Sequence, residues 1–327
     1  MSAFPALVVD EVDGVLRAEV RDADDTELPE GDVTVDVEYS TLNYKDALAI
    51  VNGKPVVRSF PMVPGVDFAG TVAGSSSPEW AVGDRVVMSG WGMGEERWGG
   101  LAQRARVDGA WLTAVPDGWT SRDAMVVGTA GVTAALAAVA IERSVEAPGP
   151  VVVTGASGGV GSFSVMLLAA AGYDVLAATT TPDASAYLTA LGATEIVDAR
   201  ELGTDVRALG KQRWAGAIDN VGGSVLAGVI ASTNVDGTVV ACGNAGGMDL
   251  PTSVAPFILR AVCLQGLQAV KVPAPTRRIA WQVLADRIPR ARLDEVAEQV
   301  GLADAIDTAG RLLANQVTGR IVVDVRA

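Results

Sequence analysis

The run Val151-Val-Val-Thr-Gly155-Ala-Ser157-Gly158-Gly159-Val160-Gly161 constrains this chain more than any other segment. A short apolar run of valines, of the kind buried strands use, passes through glycines into a stretch where Val160, Phe163, Leu167, Leu168 and Ala171 recur with helical spacing. A second strand pattern, Asp174 to Thr179, follows. Strand, tight turn, helix and strand in that order make a parallel βαβ unit. Glycine serves where the backbone turns sharply and where a phosphate must approach the main chain. Unpaired N–H groups and the positive end of the helix then favour a pyrophosphate. The motif predicts a dinucleotide-binding turn in which Ser157, Gly158, Gly159, Val160 and Gly161 contact the cofactor.

The end of the second strand bears on which dinucleotide binds. An NAD site usually carries Asp or Glu there, for the ribose 2′-hydroxyl. This chain has Thr179-Thr180-Thr181 instead. A carboxylate would repel a 2′-phosphate, so its absence beside three hydroxyls favours NADPH. No arginine lies in the turn itself, and Lys211 or Arg213 is a possible source of the missing cation.

The same alternation extends well beyond the motif. A helix at about Arg122 to Glu142 precedes it, and a helix at Ala184 to Leu191 follows the second strand. Strands are expected at Glu195 to Asp198, Ala215 to Asn220, Gly237 to Cys242 and Val262 to Gln268, which together predict a doubly wound parallel sheet. The first third has a different rhythm. Val33 to Glu38 alternates apolar and polar residues, and Asp67 to Ala73, Asp84 to Met88, Leu101 to Val107 and Leu112 to Val115 are further short strand candidates. The tail offers helices near Arg277 to Arg287 and Asp304 to Gln316, then an alternating strand, Arg320 to Val325, that looks like a return to the β-rich region. The fold class is α/β with two domains, as 327 residues would suggest. The expected division is a β-rich domain over 1–122, completed by 270–327, and a nucleotide-binding domain over 123–269.

Composition narrows the chemistry. There is no histidine, which removes Ser-His-Asp and Cys-His catalysis and imidazole metal ligands. The two cysteines, Cys242 and Cys263, make neither a disulfide framework nor a four-cysteine zinc site. A net charge of -14 argues against a nucleic-acid partner. The early acidic residues Asp10, Glu11 and Asp13 argue against a secretory signal. Ala124 to Ile141 is long and uncharged, but its Ala, Gly, Val and Thr suit a buried helix better than a membrane span. The expectation is a cytoplasmic protein with no membrane partner.

Several segments, in order, resemble the medium-chain dehydrogenase/reductase superfamily over essentially the whole chain. They are Asn43-Tyr44-Lys45-Asp46, Pro64-Gly65-Val66-Asp67-Phe68-Ala69-Gly70, Trp98-Gly99-Gly100-Leu101-Ala102, Gly128-Thr129-Ala130-Gly131 and Gly158-Gly159-Val160-Gly161. Lys211-Gln-Arg-Trp214-Ala-Gly-Ala-Ile-Asp219-Asn-Val-Gly222, Pro256-Phe257-Ile258-Leu259-Arg260 and Gly319-Arg320 continue the series. Within the superfamily the chain is similar to the zinc-free acrylyl-CoA reductase and quinone oxidoreductase branch. Zinc members carry histidine and glutamate after the glycine at Gly65, where this chain has Val66 and Asp67.

The resemblance implies a GroES-like β-rich catalytic domain built from both chain ends, a Rossmann domain within it, and a homodimer. It implies NADPH as cofactor, contacted by Tyr44, Thr129, Thr133, Asn220 and Gly243 besides the turn and the three threonines. The implied reaction is hydride transfer to an activated C=C bond, acrylyl-CoA or another short enoyl-CoA being the substrate and propionyl-CoA the product of the first. Alternatives are an NADPH:quinone oxidoreductase without CoA recognition and a nucleotide-binding protein that does not catalyse. Hydride adds to carbon and charge develops on oxygen, where a hydrogen-bond donor helps. Tyr44 is the candidate donor or proton source, with Asn43 and Asp67 beside it as catalytic candidates and Asp46 as an orienting residue. Arg97 and Arg104 are the substrate candidates, and Lys54, Arg58 and Arg106 could join them in a basic patch for CoA phosphates. The chain departs from the branch at Arg97, where histidine is common, and at Thr179-Thr180-Thr181, where Ser-Gly-Arg is common.

Overall fold

The computed structural model describes residues 3–327. The chain divides into two compact units. One comprises the residues up to Thr129 together with Ala269–Ala285 and Pro289–Ala327, and the other Ala130–Gln268 with Asp286–Ile288.

The first unit opens on an antiparallel hairpin that the apolar pattern does not announce, β1 (Phe4–Val12) and β2 (Val15–Ala23). Asp13 and Gly14 take φ of 54° and 75°, the two positive values that a two-residue hairpin turn requires. β3 (Val33–Leu42) begins with the expected alternation, Val33, Val35 and Val37 being fully buried. It runs on to Leu42 because Ser40, Thr41 and Leu42 are all buried there as well. Next comes a helix with no counterpart among the expected elements, α1 (Tyr44–Asn52). Its start is local chemistry, since Asp46 accepts the Asn43 amide at 2.8 Å and so closes the helix N-terminus. β4 (Asp67–Ser75), β5 (Arg85–Ser89), β6 (Arg104–Val107) and β7 (Thr113–Ala114) complete the N-terminal share.

α2 (Ser121–Glu142) is long and apolar enough to cross a bilayer, yet most of its apolar stretch is buried within the protein. Its first turns belong to the first unit, so the expected boundary after residue 122 falls inside this helix. The reason is a set of anchors: Arg122 pairs with Asp294, Asp123 with Arg290, and the Val126 carbonyl accepts from Arg320. The helix breaks at Gly128, whose φ of 48° and ψ of −155° suit glycine alone, and the chain enters the second unit just beyond.

In the second unit strands and helices alternate. They are β8 (Pro150–Thr154), α3 (Gly159–Ala170), β9 (Asp174–Thr179), α4 (Ser185–Leu191), β10 (Glu195–Asp198), α5 (Ala199–Leu202), β11 (Trp214–Asp219), α6 (Gly223–Ala231), β12 (Thr233–Ala241), α7 (Ala255–Arg260) and β13 (Cys263–Gly266). All six strands are parallel, in the order β10-β9-β8-β11-β12-β13, which is the doubly wound Rossmann order. Val151, Val152 and Val153 are fully buried, as a strand covered on both faces must be.

The tail adds α8 (Ala274–Arg287), β14 (Ala297–Gly301), α9 (Ala305–Leu313) and β15 (Arg320–Asp324). β15 runs antiparallel to β3, with Ile321 opposite Leu42 and Asp324 opposite Tyr39. The first unit's sheet is therefore ordered β14-β15-β3-β4-β5-β7, with β6 also paired to β3, and the chain's end lies inside it.

Candidate functional site

The turn between β8 and α3 is built for a close approach. A Cβ on Gly161 would lie 2.3 Å from the Gly155 carbonyl oxygen and 2.6 Å from the Ala156 Cα, so only glycine lets the helix start against the strand. Gly158 is the N-cap residue and, among the described residues, no side chain caps the helix. Its first-turn N–H groups are thus left to a ligand, and an anion is what they suit. Ser157 stands beside them and shares a hydrogen bond of 3.1 Å with Thr179.

Of the three threonines, Thr179 is buried, and its hydroxyl also accepts the Thr181 amide at 3.1 Å, so it serves the turn itself. Thr180 is exposed and Thr181 half-buried. Lys211 and Arg213 do not supply the cation expected of them. They precede β11, whereas Thr179 ends β9, and the strands are parallel. Both basic residues therefore sit at the opposite end of the sheet, about 20 Å away along the strands.

Asn220 and Gly243 meet at the carboxyl ends of β11 and β12, since a Cβ on Gly243 would lie 2.2 Å from the Asn220 carbonyl oxygen. Asn220 donates its amide to the Thr154 hydroxyl and its Nδ2 to the Thr154 carbonyl, at 3.0 and 2.7 Å. Asp219 holds this corner from below, accepting from the Thr154 hydroxyl and the Gly222 amide, each at 2.7 Å. Burial raises the Asp219 carboxyl above its ordinary value, and these two donors oppose the shift. Burial, with Asp219 adding to it, pushes the Cys242 thiol up to about 12. Cys242 is therefore a thiol at neutral pH and no nucleophile. Thr133 is buried on α2.

In the first unit, Asp67 is the centre of a buried polar network. Its carboxylate accepts the Thr129 hydroxyl at 2.6 Å, the Thr129 amide at 3.0 Å, the Asn43 Nδ2 at 2.9 Å and the Thr41 hydroxyl at 3.1 Å. Arg320, from the last strand, donates to the Asn43 Oδ1 at 2.9 Å and to the Val126 carbonyl at 3.0 Å. Burial lowers the Arg320 guanidinium from its ordinary value, against the pull of Asp67 and Asp46. A Cβ on Gly128 would come within 2.8 Å of Asp67 Oδ2, so the glycine in α2 is what lets the helix cross this network. Asp46 accepts the Val66 and Gly65 amides at 2.9 and 3.2 Å besides that of Asn43. Burial pushes its carboxyl up to about 6, with the Asn43 amide acting the other way.

The network separates the catalytic candidates. Asn43 uses its amide oxygen on Arg320 and its nitrogen on Thr41, Asp46 and Asp67. Asp67 is wholly buried with both oxygens occupied. Each holds other groups in place. Tyr44 differs: it is 42 % exposed at the first position of α1, and among the described residues its hydroxyl makes no hydrogen bond.

The basic residues do not form an open patch. Lys54 pairs with Glu11, Arg58 with Glu95, and Arg104 with both Asp25 and Asp36. Arg97 pairs with Glu96 and lies over the Trp111 ring, whose other neighbour is the stacked Trp91. Arg106 donates to the Thr34 hydroxyl. Lys45, the third residue of the Asn43 motif, is held by Glu95, a contact with no signal in the linear spacing.

Two family models match, the alcohol dehydrogenase GroES-like domain over residues 29–117 and the zinc-binding dehydrogenase over 159–288. Zinc does not fit this chain: histidine is absent, and among the described residues no group of three or more Cys, Asp or Glu is placed to hold a metal. The chain is 49% identical to the Escherichia coli K12 protein named "Probable acrylyl-CoA reductase AcuI", over 98% of this chain and 99% of that one. It is 47% identical to the acrylyl-CoA reductase AcuI of Ruegeria pomeroyi, over 99% of this chain and all of that one. The crystal structure of E. coli K-12 YhdH with bound NADPH superimposes with a TM-score of 0.95 at 49% identity, covering 98% of this chain and 99% of that chain. A GroES-like unit closed by the chain's own tail, a Rossmann unit with an open glycine turn and relatives at this identity lead to one conclusion: the chain belongs to the medium-chain dehydrogenase/reductase superfamily, in its zinc-free branch.

Proposed function

We propose that this chain is an NADPH-dependent reductase of short enoyl-CoA thioesters, with acrylyl-CoA as substrate and propionyl-CoA as product. The observation that carries this reading is its similarity, from end to end, to acrylyl-CoA reductases at close to half identity. NADPH, when bound, supplies the hydride. The N–H groups of Gly159, Val160 and Gly161 with Ser157 would hold its pyrophosphate. Thr180 and Thr181 would meet the adenosine ribose, and Asn220 and Gly243 would line the site at the strand ends. Thr129 and Thr133 belong to the same reading of the cofactor site. Tyr44 is the donor to the developing enolate oxygen or to the adjacent carbon, while Asn43, Asp46, Asp67 and Arg320 keep the start of its helix in place.

A second reading, a quinone reductase without CoA recognition, draws on the pairing of Lys54, Arg58, Arg97 and Arg104 with carboxylates. Steady-state rates with acrylyl-CoA and with a simple benzoquinone discriminate the two. The thioester is expected to have the higher kcat/KM. Brisk quinone turnover beside negligible thioester turnover sinks the enoyl-CoA reading, and tight NADPH binding with no turnover of any acceptor points to a protein that only binds.

The same proposal includes a homodimer in the cytoplasm. Both cysteines are free, which suits a reducing compartment. β13 ends the parallel sheet with one edge unpaired, and Val254, Ile258 and Leu259 beside it are exposed. Edge pairing of β13 with its counterpart in a second copy would satisfy those backbone groups. Light scattering is expected to report twice the chain mass of 33.5 kDa, and a species of 33.5 kDa alone would rule the dimer out.

A further inference from the structure

The turn that would receive a 2′-phosphate offers hydroxyls and no cation of its own, and Lys211 and Arg213 lie at the wrong end of the sheet. The register of the parallel sheet supplies another. β10 pairs with β9 so that Asp198 stands opposite Thr179, one strand spacing of about 4.8 Å away. The chain turns there into α5, which lies against β9, and Arg200 is the second residue of that helix. Among the described residues its guanidinium is held by Asp198 alone, at 2.9 Å from Nε to Oδ1 and 2.9 Å from Nη2 to Oδ2, and its side chain is 64% exposed.

We propose that Arg200 is the residue that recognises the 2′-phosphate of NADPH, acting together with Thr180 and Thr181. This rests on the reading of the chain as an NADPH-dependent reductase. An exposed ion pair contributes little and is easily exchanged. A phosphate dianion offers the guanidinium more charge than Asp198 does, and in a geometry that arginine binds through two parallel N–H groups. Arg200 need only turn from the carboxylate beside it towards the neighbouring strand end. Asp198 then competes with the phosphate, which makes the preference for NADPH weaker than an arginine inside the turn would give. Asp183, in the short turn after Thr181, is a second exposed carboxylate on that side.

The test is a fluorescence titration of the full chain with NADPH and with NADH, in wild type, Arg200→Ala, Asp198→Asn and Arg213→Ala. Arg200→Ala is expected to raise the Kd for NADPH by about 10-fold, the scale of one charge-assisted phosphate contact. Its Kd for NADH stays within a factor of about two, which also certifies that the variant is folded. Asp198→Asn tightens NADPH by about threefold, by releasing the guanidinium. Arg213→Ala changes neither. Raising salt narrows the gap between the two cofactors in wild type more than in Arg200→Ala, because the contact is ionic. An unchanged NADPH Kd in Arg200→Ala, or equal losses for both cofactors, overturns the assignment. Equal affinity of the wild type for NADPH and NADH overturns the NADPH reading itself, which is a separate result.

Discussion

Gly161→Ala is expected to raise the Kd for NADPH by roughly 30- to 150-fold, or about 2–3 kcal/mol. The added Cβ would meet the Gly155 carbonyl oxygen at 2.3 Å and the Ala156 Cα at 2.6 Å, which are backbone atoms and cannot rotate aside. The helix must therefore move off the strand, and its first-turn N–H groups move with it. Those groups are uncapped by any side chain, so nothing substitutes for them when they no longer point at the pyrophosphate. Stability suffers less than binding, because the displacement is confined to one turn while Val151, Val152, Val153 and Phe163 keep their burial. Cofactor titration and thermal melting read the two effects separately. Binding within threefold of wild type would mean that the turn does not carry the cofactor.

The contrast between this turn and the rest of the site explains what could be read from the chain in advance. A strand, its glycines and the following helix are contiguous, and hydrophobic period and turn chemistry are local signals. The Rossmann sheet was legible for that reason, down to most of its strands. The hairpin of β1 and β2 was signalled only by Asp13-Gly14, because the apolar run of β1 has no period of its own. Helix α1 begins through a single capping interaction between Asn43 and Asp46, in a stretch too short for a convincing period. Tyr44 was nameable from its motif. What surrounds it was not, since Arg320 reaches Asn43 only when β15 has joined the sheet beside β3, and Asp67 only when β4 has paired with β3 on its other side. Arg200 is a similar case: its closeness to Thr179 is a property of strand register, which the linear chain does not display. The lack of histidine kept its value throughout, because a ligand that is absent from the sequence is absent from every fold of it.

Tyr44→Phe is expected to lower kcat/KM for acrylyl-CoA by about 100- to 1000-fold, the usual contribution of a positioned proton or hydrogen-bond donor. The substitution removes one oxygen atom and nothing else. That oxygen makes no hydrogen bond within the described residues, and the ring is 42 % exposed, so the folded state loses no contact that stabilises it. The melting temperature should stay within about 1 °C of wild type, since surface changes of this kind are worth little. The Kd for NADPH should change by less than about threefold, because the hydroxyl's contribution appears when charge develops on the substrate rather than when the cofactor binds. A packed tyrosine with a structural hydroxyl would behave in the opposite way, losing stability and keeping its rate. Asn43→Ala supplies that comparison directly: it removes the amide that joins Arg320, Asp46 and Asp67, so it should lower both the melting temperature and the rate. If Tyr44→Phe turns over acrylyl-CoA within threefold of wild type, the donor lies elsewhere, and the network beneath α1 holds the helix for some other purpose.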